Sequence, residues 1–405
     1  MKAYFNKKGS FAVFATMLFL ALIMAMWAII NAAGEIAIAS SINSFGHVWS
    51  KSILGEYDIE LKNRYGLLAF YDNEYSVETK LKKYMDYSLD SKPYIYYETP
   101  KCSLDEYNLS CSNTLLEQIE IVSLEDTRPL IEHYEDGSNV EGRHISNPGI
   151  IEYLPSYNKT EKLYVTSLAN KIKSGASLTS LMDNASIDKY IFNFFKDYMN
   201  MRDLGKTYFN CEVEYIITGE YSDSKLKEST GSKIELLRNV LNLFYLYNCQ
   251  EKRDVALALA TAVTPGAMAL ITQGVILETW AYAEAKNDMK ILYDNKAVSL
   301  LKKDCNWALA LENVFAIEGE DLVTKEEQKE YVVPQNIEGA SYSDYLKILL
   351  CGITKETKLL RIMDLIQINM KYIYCDFFLI KDYNCGLKYN VVVNGHNYVF
   401  EDTYV

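Results

Sequence analysis

Between Ser10 and Ile30 the chain reads SFAVFATMLFLALIMAMWAII, 21 residues without a charge. One helix of that length crosses the hydrocarbon core of a bilayer. Lys2, Lys7 and Lys8 precede the run, and no further Lys or Arg occurs until Lys51. The positive-inside rule therefore predicts a cytoplasmic tail over 1–9, a transmembrane helix over 10–30 and an extracytoplasmic remainder, a single pass through the cell membrane. The competing reading is a cleaved secretory signal, for which Ala37-Ile38-Ala39 offers a small-x-small site. The run outlasts the roughly 7–15-residue apolar core of a signal, and the site lies well beyond its end, so a retained anchor is expected.

The remaining chain reads as globular, with 49% apolar and 23% charged residues over 405 positions. Setting the three tail lysines aside leaves 38 basic against 54 acidic residues, a net charge of -16. Such a surface repels nucleic acid and anionic headgroups, so neither is an expected partner. All eight cysteines follow the apolar run, where disulfides are permitted if that part lies outside the cell. Cys102–Cys111 and Cys375–Cys385 close short loops and are the first candidate bridges. Free buried thiols are the other reading. There is no CxxC spacing, and His47, His133, His144 and His396 are scattered, so neither a zinc site nor any cofactor is expected.

Apolar periodicity sets the layout. Ile38, Ile42, Phe45, Trp49, Ile53, Tyr57, Leu61 and Tyr65 recur at steps of three and four, one face of a helix running on from the membrane to Gly66. This stripe packs either on the chain's own core or on another subunit. The part nearest the membrane, Ile38, Ile42, Phe45 and Trp49, with small residues Ala33, Gly34, Ala37 and Ser41 beside it, is the candidate docking surface for other anchored subunits. The expected fold is α+β and mainly α. It has a stalk and a short helix over 31–89, a loop-rich region with strands at 94–97 and 116–124 over 90–160, and a helical core over 161–317. Helices and an antiparallel hairpin turning at Asn394-Gly395 fill 318–405. Val255–Leu277 is uncharged and long enough for a second span. Pro265-Gly266, four polar side chains and the flanking Lys252-Arg253 favour a buried helical hairpin instead, opened by Asp254 as a cap.

Chemistry-bearing patterns are few. Glu284 and Asp288 form an i,i+4 carboxylate pair, and Arg238 sits on an apolar helix face where it needs a buried anion, Glu214 or Glu284. Structural ion pairing is the expected role of Arg238, Glu284 and Asp288. No GxSxG, Walker lysine motif or HExxH occurs, and no catalysis is expected.

Gly9 followed by a long apolar helix and an amphipathic stalk resembles the minor pseudopilins of tight-adherence (Tad) pili. Ser52–Phe70, Trp280–Ala285, Lys302–Trp307 and Tyr342–Asn369 resemble an uncharacterised family of clostridial membrane proteins commonly encoded beside Tad-type pilus or secretion genes. The resemblance implies an anchored structural or interaction component whose partners are the bilayer and other assembly subunits, with no catalytic residues to carry over. Pilins carry glutamate at the fifth mature position. Cleavage after Gly9 would put Phe14 there, and the nearest downstream glutamate is Glu35. A cell-surface hydrolase and an adhesin or sensor ectodomain are the alternatives from other classes.

Overall fold

The computed structural model describes residues 7–89, 94–125, 128–129, 145, 148–159, 161–175, 185–199, 206–318, 321–325 and 330–404. It is largely helical, with small antiparallel sheets and one long apolar helix at the amino end. The chain forms two compact units. The first comprises residues 1–57, 69–108 and 383–404, and the second comprises 58–68 and 109–382. The expected sequential layout is thus replaced by an interleaved one, because the last two long strands belong with the first helix.

In the first unit a single helix, Lys7–Leu54, runs without interruption through the apolar stretch. Residues 11–37 are exposed along its whole circumference, and burial begins at the next turn. Ile42, Trp49, Ile53 and Leu54 join a core with Val77, Leu81, Met85 and Leu89 of the Glu74–Leu89 helix and Leu387, Tyr389, Val391, Val393 and Phe400. The strands Lys101–Ser103, Gly386–Val393 and His396–Thr403 form an antiparallel sheet in that order. The middle strand alternates buried and more exposed side chains from Leu387 to Val393, as a strand packed on one face must. Asn394 (φ 50°) and Gly395 (φ 80°) make the predicted two-residue turn, which needs positive φ at both positions. Tyr94–Tyr97 contributes only one bridge, Tyr97 to Val393, rather than a strand.

The docking role expected for Ile38, Ile42, Phe45 and Trp49 does not fit this packing. Ile42 and Trp49 are buried, and Ile38 and Phe45 lie partly covered against the same core. Gly46 explains how the helix comes so close to the sheet. A Cβ there would lie 2.2 Å from the Phe400 ring, and the Gly46 carbonyl accepts from the Tyr389 hydroxyl at 2.6 Å. Asp402 accepts from Ser50 and pairs with His47 at 2.9 Å, tying the last strand to the helix.

The predicted continuation to Gly66 also changes. The helix stops at Leu54, and a separate helix, Ile59–Tyr65, is capped by Asp58 and closed by Gly66 at φ 69°. The Asp58 carboxylate takes the free Leu61 N–H, which favours a new helix start over continuation.

The second unit is built from the helices Ser112–Leu124, Val165–Lys173, Ala185–Phe194, Glu212–Thr218, Asp223–Asn248, Gln250–Val263, Ala269–Tyr293, Tyr342–Leu350 and Lys355–Asn369. The predicted strand at 116–124 is helical, because Leu115, Ile119 and Val122 bury one face at steps of four and three. The Gln250–Val263 helix starts directly after Cys249, so Asp254 lies inside it and accepts from Gln250 rather than capping. Cys375–Ile380 is not a strand. The preceding helix ends in a wide turn over Met370–Tyr374, and strand structure begins at Tyr383. A short hairpin, Phe315–Glu318 with Asp321–Thr324, lies across the boundary expected at 317/318. In the loop-rich region expected over 90–160, residues 136–149 apart from Ile145, Pro148 and Gly149 lie outside the described residues.

Candidate functional site

The three polar residues singled out by sequence meet inside the second unit. Arg238 lies on the Asp223–Asn248 helix, and Asn242, one turn later, shares its face. Glu284 and Asp288 lie one turn apart on Ala269–Tyr293. The segment beyond that helix returns Lys302 between the two carboxylates. None of these five side chains has more than marginal exposure.

Arg238 Nε donates to Asp288 Oδ2 at 3.0 Å, and its other nitrogens donate to the Ser299 and Leu300 carbonyls and to Asn242 Oδ1. Asn242 Nδ2 donates to the same Asp288 oxygen at 3.1 Å. Lys302 Nζ donates to Asp288 Oδ1 at 2.6 Å and to Glu284 Oε1. Glu284 also accepts from the Ala308 and Leu309 backbone N–H groups at 2.9 and 2.8 Å. Two cations and two carboxylates therefore balance, and every carboxylate oxygen has a donor. Burial pushes the Glu284 carboxyl above its ordinary range, while Lys302 and the backbone donors pull it back.

The partner of Arg238 is thus Asp288, not Glu214 or Glu284. Glu214 lies elsewhere in the same unit, accepting from the Tyr198 N–H and the Tyr342 hydroxyl. Asn242 and Lys302 were missed in the sequence. Asn242 was detectable as a polar residue four positions from Arg238 on an apolar face. Lys302 carried no signal, since its role depends on a loop folding back. The cluster is sealed and holds residues 299–309 onto two helices. It offers no open oxygen to a substrate and works as a clamp.

A cavity of about 340 Å³ lies beside the Ala269–Tyr293 helix, lined in part by Tyr282, Lys286, Asn287, Lys325 and Glu330. Among the described residues its lining contains no His or Cys. Among the described residues no group of His, Cys, Asp or Glu is arranged to hold a metal ion. All eight cysteines are free thiols, so neither Cys102–Cys111 nor Cys375–Cys385 is bridged. Cys102 sits within a strand opposite Tyr389, Cys111 opens the Ser112–Leu124 helix, and the backbone of Cys385 is bonded to Tyr107 and Tyr404. Each is held by its own element, and loop length alone did not bring the sulfurs together.

The model of a family of unknown function, DUF5702, matches residues 129–395, about two-thirds of the chain. The chain belongs to that family. The DUF5702 match contains Arg238, Asn242, Glu284, Asp288 and Lys302, and it begins far beyond the apolar helix. The matched region thus covers the charged cluster and the helices around it but not the apolar amino-terminal helix. No curated protein and no solved structure matches the chain.

Proposed function

We propose that this DUF5702 protein is a single-pass membrane anchor carrying a non-catalytic structural domain, and that it serves as an assembly component of a Tad-like pilus or secretion apparatus. One observation carries the membrane part. Residues 11–37 of an unbroken helix are exposed on every side, while the same helix is embedded in core from Ile42 onward. Its uncharged part, up to Ile30, is a bare apolar rod that is unfavourable in water and, at about 30 Å, matches the thickness of a bilayer core. The alternative, a signal cleaved near Ala37–Ala39, would require cutting within a continuous helix one turn before it enters the domain. The lysines before the run support an extracytoplasmic domain by the positive-inside rule.

The structural role is supported by the sealing of the charged cluster, which leaves its ionisable groups committed to one another. The apparatus is inferred from the resemblance to Tad pseudopilins. The test is purification of the full chain from detergent-solubilised membranes after crosslinking in cells. Membrane-embedded subunits of a pilus or secretion machine should accompany it in near-stoichiometric amounts. Recovery of the chain alone, or with wall-degrading enzymes and their polymer, would overturn the reading.

A further inference from the structure

We infer that one end of the first unit, formed by the Asn394-Gly395 turn and residues 94–97, rests on the headgroup layer of the bilayer, with the Tyr94 and Tyr96 rings at the membrane–water interface. The inference deepens the anchor reading and rests on it.

The level of this end follows from the register between the long helix and the last strand, which belong to the same unit. Gly46 lies against the Phe400 ring, Ser50 donates to Asp402, and the Leu54 carbonyl accepts from the Tyr404 hydroxyl. Four helix residues thus match two strand residues, roughly 6–7 Å in either element. The strand runs alongside the helix, and its start points toward the apolar stretch. The same steps taken backward put Tyr398 beside Ile42 and His396 beside Ile38. Ile38, Ile42 and Tyr398 do share one core. His396 pairs with Val393, and Val393 bridges to Tyr97. The turn and the residues just before Tyr97 therefore lie beside about residues 34–37 of the helix.

Asn394 fixes the tyrosine segment there. Its N–H donates to the Tyr96 carbonyl at 2.8 Å, and its Oδ1 accepts from the Tyr96 N–H at 2.8 Å. Its Nδ2 donates to the Tyr94 carbonyl at 3.2 Å. Side chains alternate along this extended segment. Ile95 is buried, and Tyr97 is half-buried with its hydroxyl on Asp86 at 2.7 Å. Tyr94 and Tyr96 face outward, 71% and 76% exposed.

The edge of the bilayer falls at the same level. The apolar run ends at Ile30, and the next charge is Glu35. Trp27, 67% exposed, stands one turn before that end, where an interfacial aromatic belt belongs. The headgroup layer adds roughly 5–7 Å, about four helix residues, and so reaches about residue 34. Tyrosine suits this layer because its ring is apolar and its hydroxyl bonds to water or phosphate. Among the described residues, Glu35 and Glu98 lie at this end, so a zwitterionic headgroup fits it better than an anionic one. Tyr75 is the internal control. It is 80% exposed but opens the Glu74–Leu89 helix, whose Ser88 accepts from Trp49 and whose Lys80 pairs with Glu56, so it lies at the far end from the bilayer.

The test reconstitutes the full chain into phosphatidylcholine vesicles. One sample carries a phosphatidylcholine with a diazirine on its acyl chain, and another carries one with the diazirine on its headgroup. Adducts are then mapped by mass spectrometry. The acyl probe should label the anchor at 11–30. The headgroup probe should label peptides holding 94–97 and 394–397 several-fold above the peptide holding Tyr75. A polar seven-residue helical insertion after Glu35 lifts the unit by about 10 Å. It should bring the label at 94–97 down to the Tyr75 level while the anchor label stays. A labelled anchor with 94–97 no higher than Tyr75 overturns the inference and leaves the anchor reading in place. So does a label at 94–97 that survives the insertion. An unlabelled anchor removes the anchor reading and the inference with it.

Discussion

Arg238 and Asp288 meet at 3.0 Å with neither side chain exposed to solvent. The other Asp288 oxygen is held by Lys302 at 2.6 Å, so one carboxylate joins two cations from different segments. Removing either cation leaves buried negative charge short of its partner. Arg238→Met should therefore cost about 3–5 kcal/mol of unfolding free energy, read from denaturant titration. Lys302→Met should cost a similar amount. Lys302→Met combined with Glu284→Gln should cost less than the two single changes added together, because the uncompensated charge goes with its partner. Losses below about 1 kcal/mol for both single cation variants would show that the cluster is not a clamp.

The contact between Gly46 and Phe400 makes a second, independent prediction. Phe400 is buried beside the Tyr389 ring, at 5.2 Å between centroids, and meets His47 edge-on at 5.6 Å, so it has little room to retreat. Gly46→Ala should destabilise the first unit by about 1–3 kcal/mol despite the better helix propensity of alanine. Phe400→Leu in the Gly46→Ala background should recover part of the loss. Strict additivity of the two changes would mean that the helix shifts rather than clashing.

Acidity should stabilise the second unit. Burial pushes the Glu214 carboxyl up to about 8, with Asp197 adding like charge, and pushes Asp364 up to about 6. Their ordinary values are 4.5 and 3.8, so the folded chain keeps protons that the unfolded chain has released. This contribution is complete below the ordinary values and is lost as pH rises through about 6 for Asp364 and about 8 for Glu214. The Tm should fall as pH rises between about 5 and 8. Glu214→Gln should flatten the upper part of that decline, and an unchanged profile would show that Glu214 is already ionised in the fold.

Thiol chemistry gives a graded readout. Cys111 is exposed, whereas Cys211 and Cys385 are buried. Cys102 is intermediate, and burial together with Glu74, Glu78 and Asp72 pushes its thiol up to about 12. Maleimide under native conditions should modify Cys111 first, Cys102 much more slowly, and Cys211 and Cys385 only after unfolding. Intact mass after denaturing alkylation should show eight modified thiols, and fewer would reveal a bridge.

Local features of the chain were legible where a local rule was enough. The uncharged run at Ser10–Ile30 required an apolar surround for its helix, whatever the rest of the chain did. The Asn394-Gly395 pair specified its turn because few residues accept positive φ in succession.

What covers each apolar face, and which charge meets which, was decided by tertiary structure. The stripe at Ile42 and Trp49 looked open because the strands that cover it lie more than 330 positions later in the chain. Arg238 required an anion, but Glu214, Glu284 and Asp288 were equivalent until helix packing chose Asp288. Lys302 became part of the clamp only when its loop folded back. The exposed tip at Met268–Val275 has the same composition as a buried hairpin and differs only in whether other helices reach it. Periodicity records which residues share a face, while the partner of that face is set by segments distant in sequence, and no local pattern encodes their arrival.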